Sequence, residues 1–257
     1  MIRILKISFF TITVFGILIL MGFIFKENRF TEINDVQVNI FRHTDKGFLS
    51  RDIVLTTINN IDSITNLRVV DINTKTIERS LNRNPYIQNT DSYITLNGSL
   101  LINIEEKTPI IRIYNKVGNS VYVDNNGDFI PISNSHTPRV LIASGYINNE
   151  ITNLNTNIYD TTYSKSQYQE VYRLAKLILD NTLLSSQISQ IYVNSKGEYD
   201  LIPELGEHIV KFGEMKDAVI KLENLEAYYR KNMVTENWDN YSTINLIYKD
   251  QIVCTKK

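Results

Sequence analysis

The 257 residues are 43% hydrophobic and 21% charged, with a net charge of −1, which suits packed globular material and excludes a disordered tail or a broad basic field for nucleic acid. The single cysteine, Cys254, excludes an intrachain disulfide, so any folded part must be held by its core alone.

From Ile7 to Phe25 no residue is charged and most are large and apolar. A helix of that length rises about 28 Å, close to the hydrocarbon thickness of a bilayer. Inside lipid only a helix satisfies its own backbone groups along the segment. The run is longer than the roughly 7–15 residues of a signal-peptide core. Phe23-Ile24-Phe25-Lys26-Glu27 offers no small-x-small cleavage site, so an uncleaved anchor is expected. Arg3 and Lys6 before the run outweigh Lys26 and Arg29 after it, where Glu27 offsets them, and the bias puts the N-terminus inside. Residues 1–6 then read as a cytoplasmic tail, 7–25 as the transmembrane helix and 26–32 as a juxtamembrane linker. The bulk of the chain is expected outside the cytoplasmic membrane.

Val36, Val38 and Ile40 alternate with Gln37, Asn39 and Phe41, the pattern of a first strand. Ser50 before Arg51-Asp52-Ile53-Val54-Leu55 predicts a capped helix. A second short helix fits Asn73 to Arg83, with Ile77 and Leu81 on one face and Asn84-Pro85 as its stop. Strands follow at Ile87 to Leu96 and Leu100 to Glu105, joined by Asn97-Gly98, a pair that supplies the positive φ angles of a tight hairpin. The order strand, helix, helix, strand, strand defines a small α+β domain over 33–107.

Pro109 opens a second domain, 108–257. Short strands are expected at Ile110 to Tyr114, Val121 to Asp124, Phe129 to Ile132 and Val140 to Ala143, with Asn126-Gly127 as a hairpin turn. A long helix spans about Ser164 to Asp180, with Tyr168, Val171, Tyr172, Ala175, Ile178 and Leu179 as its inner stripe. Strands resume at Ile188 to Val193, Glu198 to Ile202 and His208 to Phe212, the first two joined through Lys196-Gly197. A second long helix covers about Met215 to Lys231, its stripe being Met215, Ala218, Val219, Leu222, Leu225 and Tyr229. One terminal strand is expected from Thr243 to Cys254. The whole is an α+β protein: a transmembrane helix, a small β-α-α-β-β domain and a larger mixed sheet domain with two long helices.

His43, His136 and His208 are scattered, and no H-E-x-x-H, G-x-S-x-G or neighbouring Cys–His pair is present. The histidines read as surface or satisfied structural residues. Asp124, Asn126 and Asp128 suggest a calcium loop, but the required glycine is missing and Ser135 stands where the bidentate glutamate belongs, so a hairpin turn explains them better. Trp238 reads as a core residue before the last strand. No catalytic, cofactor-binding or metal site is expected, and neither a nucleic acid nor a small-molecule substrate.

The order of these elements resembles the FtsQ/DivIB family of bacterial cell-division proteins, whose first module is a POTRA domain. Phe48-Leu49-Ser50-Arg51-Asp52-Ile53 resembles the family's approach to the first helix. Ile77-Glu78-Arg79-Ser80-Leu81-Asn82-Arg83-Asn84-Pro85-Tyr86-Ile87 resembles its helix-to-strand segment. Ile104-Glu105-Glu106-Lys107-Thr108-Pro109 resembles its domain junction, and Tyr122-Val123-Asp124-Asn125-Asn126-Gly127 the first hairpin of its β domain. The likeness runs from the anchor to the last strand; a six-residue tail is shorter than in many members. It implies a non-enzymatic scaffold at the division septum, in the cytoplasmic (inner) membrane, that recruits FtsB/FtsL-like single-span partners by strand addition. The partner-binding residues it points to are Ile244, Leu246, Ile247, Tyr248, Lys249 and Ile252. A last strand wholly paired within its sheet fits the same residues. An anchored cell-envelope hydrolase and a POTRA-bearing export or assembly factor are the alternatives from other classes.

Overall fold

The computed structural model describes residues 2–29, 32–60, 68–148, 154, 156–164, 166–233, 240–249 and 251–257. Trp238 lies outside them. The chain divides into two compact units, Met1–Glu106 and Lys107–Lys257.

The first unit starts with helix α1, Ile2–Arg29. Its described side chains, those of 9–22, are strongly exposed: Phe9 is 75%, Phe10 69% and Phe15 66% accessible. Among the described residues no helix is long and apolar enough to cross a membrane. The expected span of 7–25 runs past those side chains at both ends.

The rest of the unit is β1 (Asp35–Phe41), α2 (Arg51–Asn59), α3 (Thr74–Leu81), β2 (Ile87–Ile94) and β3 (Ser99–Glu106). Local chemistry sets the helix starts. Ser50 Oγ accepts from Ile53 N at 3.3 Å, and Asn73 Oδ1 accepts from Thr76 N at 3.3 Å. The sheet order is β1-β3-β2, with β1 parallel and β2 antiparallel to β3. β3 is therefore central, and Leu100, Ile102 and Ile104 are fully buried against Val54, Ile58, Ile77 and Leu81 of the two helices. Each such side chain contributes about 1.5–3 kcal/mol on leaving water.

The second unit contains β4 (Pro109–Tyr114), β5 (Ser120–Asp124), β6 (Phe129–Ile130), β7 (Leu141–Gly145), α4 (Gln167–Leu179), α5 (Thr182–Gln187), β8 (Ile188–Val193), β9 (Tyr199–Pro203), β10 (Ile209–Gly213), α6 (Ala218–Met233), β11 (Tyr241–Asn245) and β12 (Val253–Lys256). The strands form one sheet in the order β12-β11-β10-β9-β8-β7-β4-β5-β6. One face packs its alternate residues, among them Ile111, Ile113, Ala143, Ile191 and Val210, against the buried stripes of α4 and α6.

Three expectations change. The left-handed residue of each Asn-Gly turn is the glycine alone, Gly98 (φ 83°) and Gly127 (φ 87°), because a four-residue turn closes onto the next residue instead of a two-residue one. The inner stripe of α6 is Ala218, Leu222, Leu225 and Tyr229, while Val219 is 53% exposed. The helix starts at Ala218, and its i, i+4, i+7, i+11 series leaves Val219 outside. Finally, the terminal strand from Thr243 to Cys254 is two strands. Asn245 Oδ1 accepts from Ile247 N at 2.9 Å and turns the chain, so β12 returns antiparallel along β11.

Candidate functional site

The C-terminal margin of the large sheet is built from β10, β11 and β12. β11 is held between its neighbours, parallel to β10 through Ile209↔Thr243 and Lys211↔Asn245, and antiparallel to β12 through Ile244↔Cys254. β12 is the outermost strand. One side of it is therefore paired and the other forms the sheet edge, with a row of backbone donors and acceptors. The residues expected to bind a partner divide here. Ile244 (1% exposed) and Leu246 (3%) belong to the core, and Ile252 packs half-buried against it. Ile247 (49%) and Tyr248 (53%) point outward from the β11–β12 turn, with exposed Lys249 beside them.

The turn and the start of α6 together enclose a groove of about 420 Å³, lined among others by Ile220, Leu246, Ile247, Tyr248 and Lys249. Ile220 is 52% exposed and meets the turn residues across this groove. Nothing in the sequence reading singled out Ile220; the signal was there in the spacing, since it falls outside the i, i+4, i+7 series of α6. Lys216 and Lys221 add positive charge to the lining, and Asp217 adds the opposing one.

Several contacts fix the margin's shape. Ile247 lies against Gly213, whose φ is +76°; a Cβ there would come within 2.9 Å of Ile247 Cγ1. Asp217 holds φ 56°, the left-handed region, directly before α6, a conformation that costs about 1 kcal/mol in a residue with a Cβ. Lys221 Nζ donates to Phe212 O at 3.0 Å and Glu214 O at 2.8 Å and lies over the Phe212 ring, tying α6 to the end of β10. Burial lowers its pKa, and Asp217 and Glu214 oppose that shift. Elsewhere on the margin, buried His208 Nε2 bonds Tyr229 Oη at 2.9 Å, and burial pushes the Tyr229 phenol well above its usual value. At the chain end Lys257 Nζ meets Glu207 Oε2 at 2.7 Å and lowers the Glu207 pKa.

Among the described residues no group of three His, Cys, Asp or Glu could hold a metal ion. The Asp124–Asp128 loop is a hairpin turn, in which Asp124 Oδ1 accepts from Asn126 N and Asp128 N. What this geometry offers is a sheet edge, β12, and beside the β11–β12 turn an apolar groove with a basic rim.

A small β-α-α-β-β unit followed by a larger open sheet with helices packed on it is the architecture of a two-module α+β protein with a POTRA-like first module. The family model described as POTRA-like domain matches residues 32–105, and that described as FtsQ/DivIB, C-terminal related, matches residues 108–255. The second match alone spans more than half of the chain, and the chain belongs to the FtsQ/DivIB family of cell-division proteins. That membership implies a scaffold role in division, in a family that is generally non-enzymatic. No curated protein matches the chain.

Proposed function

We propose that this protein is a non-enzymatic, single-pass scaffold of the division machinery, anchored in the cytoplasmic membrane by α1 with its N-terminus inside. Its second unit recruits an FtsB/FtsL-like single-span partner, which adds a strand along β12. The observation that carries this reading is the coincidence of an outermost strand with outward apolar side chains at its turn. Ile247, Tyr248 and Lys249 contact the partner, Ile252 flanks it, and Ile244 and Leu246 hold the edge from behind. Strand addition satisfies the edge's backbone groups, and the apolar side chains supply anchors. The anchor rests on the uncharged run of 7–25 and on the exposed apolar side chains of α1, a surface that water alone leaves unsatisfied.

A fluorescent fusion of the full chain tests this. It is expected to gather as a band at the division site, and Ile247→Glu to leave that band in place while the FtsB-like partner no longer joins it. Even distribution around the envelope would contradict the reading and favour an export or assembly factor.

A further inference from the structure

The first unit packs one face of its sheet on α2 and α3 and leaves the other open. Three rows cross the open face from β1 through β3 to β2: Gln37, Leu101 and Tyr93; then Asn39, Asn103 and Asp91; then Phe41, Glu105 and Asn89. Two large apolar side chains stand exposed there, Phe41 at 59% and Tyr93 at 45%, and half-buried Leu101 lies beside Tyr93. Asn39 Nδ2 donates to Asn103 Oδ1 at 3.0 Å and fixes the middle row.

The charge of this face has one sign. Asp35, Asp91 and Glu105 belong to it, and β1, β2 and β3 contain no lysine or arginine. None of these three carboxylates forms an ion pair among the described residues. Arg42, directly after β1, is turned away: it donates to Leu49 O at 3.3 Å and lies 3.9 Å from buried Glu106. Asp91 and Glu105 sit on adjacent strands one row apart, with roughly 8 Å between their Cα atoms. Such a field repels the same face of a second copy, an anionic lipid surface and nucleic acid, and draws a cationic partner.

We infer that this face docks a cationic amphipathic helix of another protein. Its dimensions suit one helix: the outer strands lie about 10 Å apart, and a helix with its side chains is about 10–12 Å across. The Tyr93–Leu101 site and Phe41 stand about 14 Å apart along the strands, a distance that a helix covers in about nine residues. One apolar stripe covers both sites, and lysines beside the stripe reach Asp91 and Glu105. Exposed ion pairs are individually weak, so apolar contact supplies the affinity and the carboxylates select the sign of the partner. An added strand is less well served. On β2 Glu78 Oε1 already accepts from Ser92 N at 2.9 Å, and on β1 Arg51 Nη2 donates to Val36 O at 3.0 Å.

The test uses the full chain in nanodiscs of zwitterionic lipid, with empty discs as the reference. The probe is a capped peptide of two Leu-Lys-Lys-Leu-Leu-Lys-Leu heptads, which folds with one apolar and one cationic face. The same peptide with Glu for every Lys, and an alternating Leu-Lys peptide of equal length that favours a strand, are the comparisons. The probe is expected to bind about tenfold more tightly than its Glu counterpart, with an affinity that falls as salt rises. Phe41→Ser, and Asp91→Asn combined with Glu105→Gln, each weaken binding severalfold with an unchanged near-UV spectrum. Glu223→Gln, which removes an exposed acid of α6, leaves it unchanged. No binding beyond that of empty discs overturns the proposal. So does equal binding of the Glu peptide, tighter binding of the alternating peptide, wild-type affinity in either variant of the face, or an equal loss in Glu223→Gln. None of these results bears on partner binding at β12.

Discussion

Glu106 is 6% exposed and accepts from Phe48 N at 2.6 Å and Leu49 N at 3.3 Å, with Arg42 at 3.9 Å. Gly47 is needed beside it, since a Cβ at that position would run into the carboxylate. The next residue, Lys107, reaches Asp128 Oδ2 at 3.3 Å. The acidic–basic pair before Pro109, visible in the sequence as a junction, thus ends each unit with a clamp of its own. Glu106→Ala, which strips two buried N–H groups of a charged acceptor, should cost about 2–4 kcal/mol in denaturant unfolding of the first unit. Asp124 titrates in the opposite sense from most carboxylates. Burial raises its pKa above 3.8, against the pull of its turn N–H groups and Lys107. Its protonated form is favoured on folding, so its contribution is fully present below the unfolded pKa and is lost as pH rises through the folded one. Asp124→Asn keeps an acceptor for both N–H groups. Its melting temperature relative to wild type should therefore rise between pH 3.5 and 6; a fall over that interval contradicts this account.

Four hairpins at the element scale share one construction. Thr95, Asn115, Asp124 and Asn194 each accept from the glycine three residues on, Gly98, Gly118, Gly127 and Gly197, and donate to the residue after it. At the last three a side-chain Oδ1 also accepts two backbone N–H groups inside the turn. Asn194→Ala should cost about 1–2 kcal/mol by leaving those donors without their acceptor, while Asn194→Asp restores most of it. The strands and capped helices were legible because alternation and Ser or Asn caps act locally. The break between β11 and β12 was not, because Ile244, Leu246, Tyr248 and Ile252 keep a period of two through it. Only the Asn245 side chain, bonding Ile247 N, announces the turn. α5 was missed for a related reason: six residues capped by Asn181 are too short to show a period.

At the scale of the molecule the two units have separate cores, Leu100–Ile104 with α2 and α3 in one, the strand alternates with α4 and α6 in the other. Residues 108–257 alone should therefore retain the near-UV spectrum and cooperative melting of the second unit; a molten fragment would contradict separate cores. The α+β class of the two units and the family were legible because they depend on element order, whereas the membrane span expected over 7–25 is not matched by any helix long and apolar enough to cross a membrane among the described residues. Which residues of the margin face outward was not, since that depends on how the chain turns after Asn245. The central claim is that β12 keeps one side for another chain. Amide hydrogen exchange over Val253–Lys256, in the full chain with and without the extracytoplasmic segment of the FtsB-like partner, tests it most directly. The account predicts rapid exchange in alternate amides of the free protein and marked slowing on binding, together with Ile247 and Tyr248. Full protection in the free protein, or no change on adding a partner that binds, would contradict it.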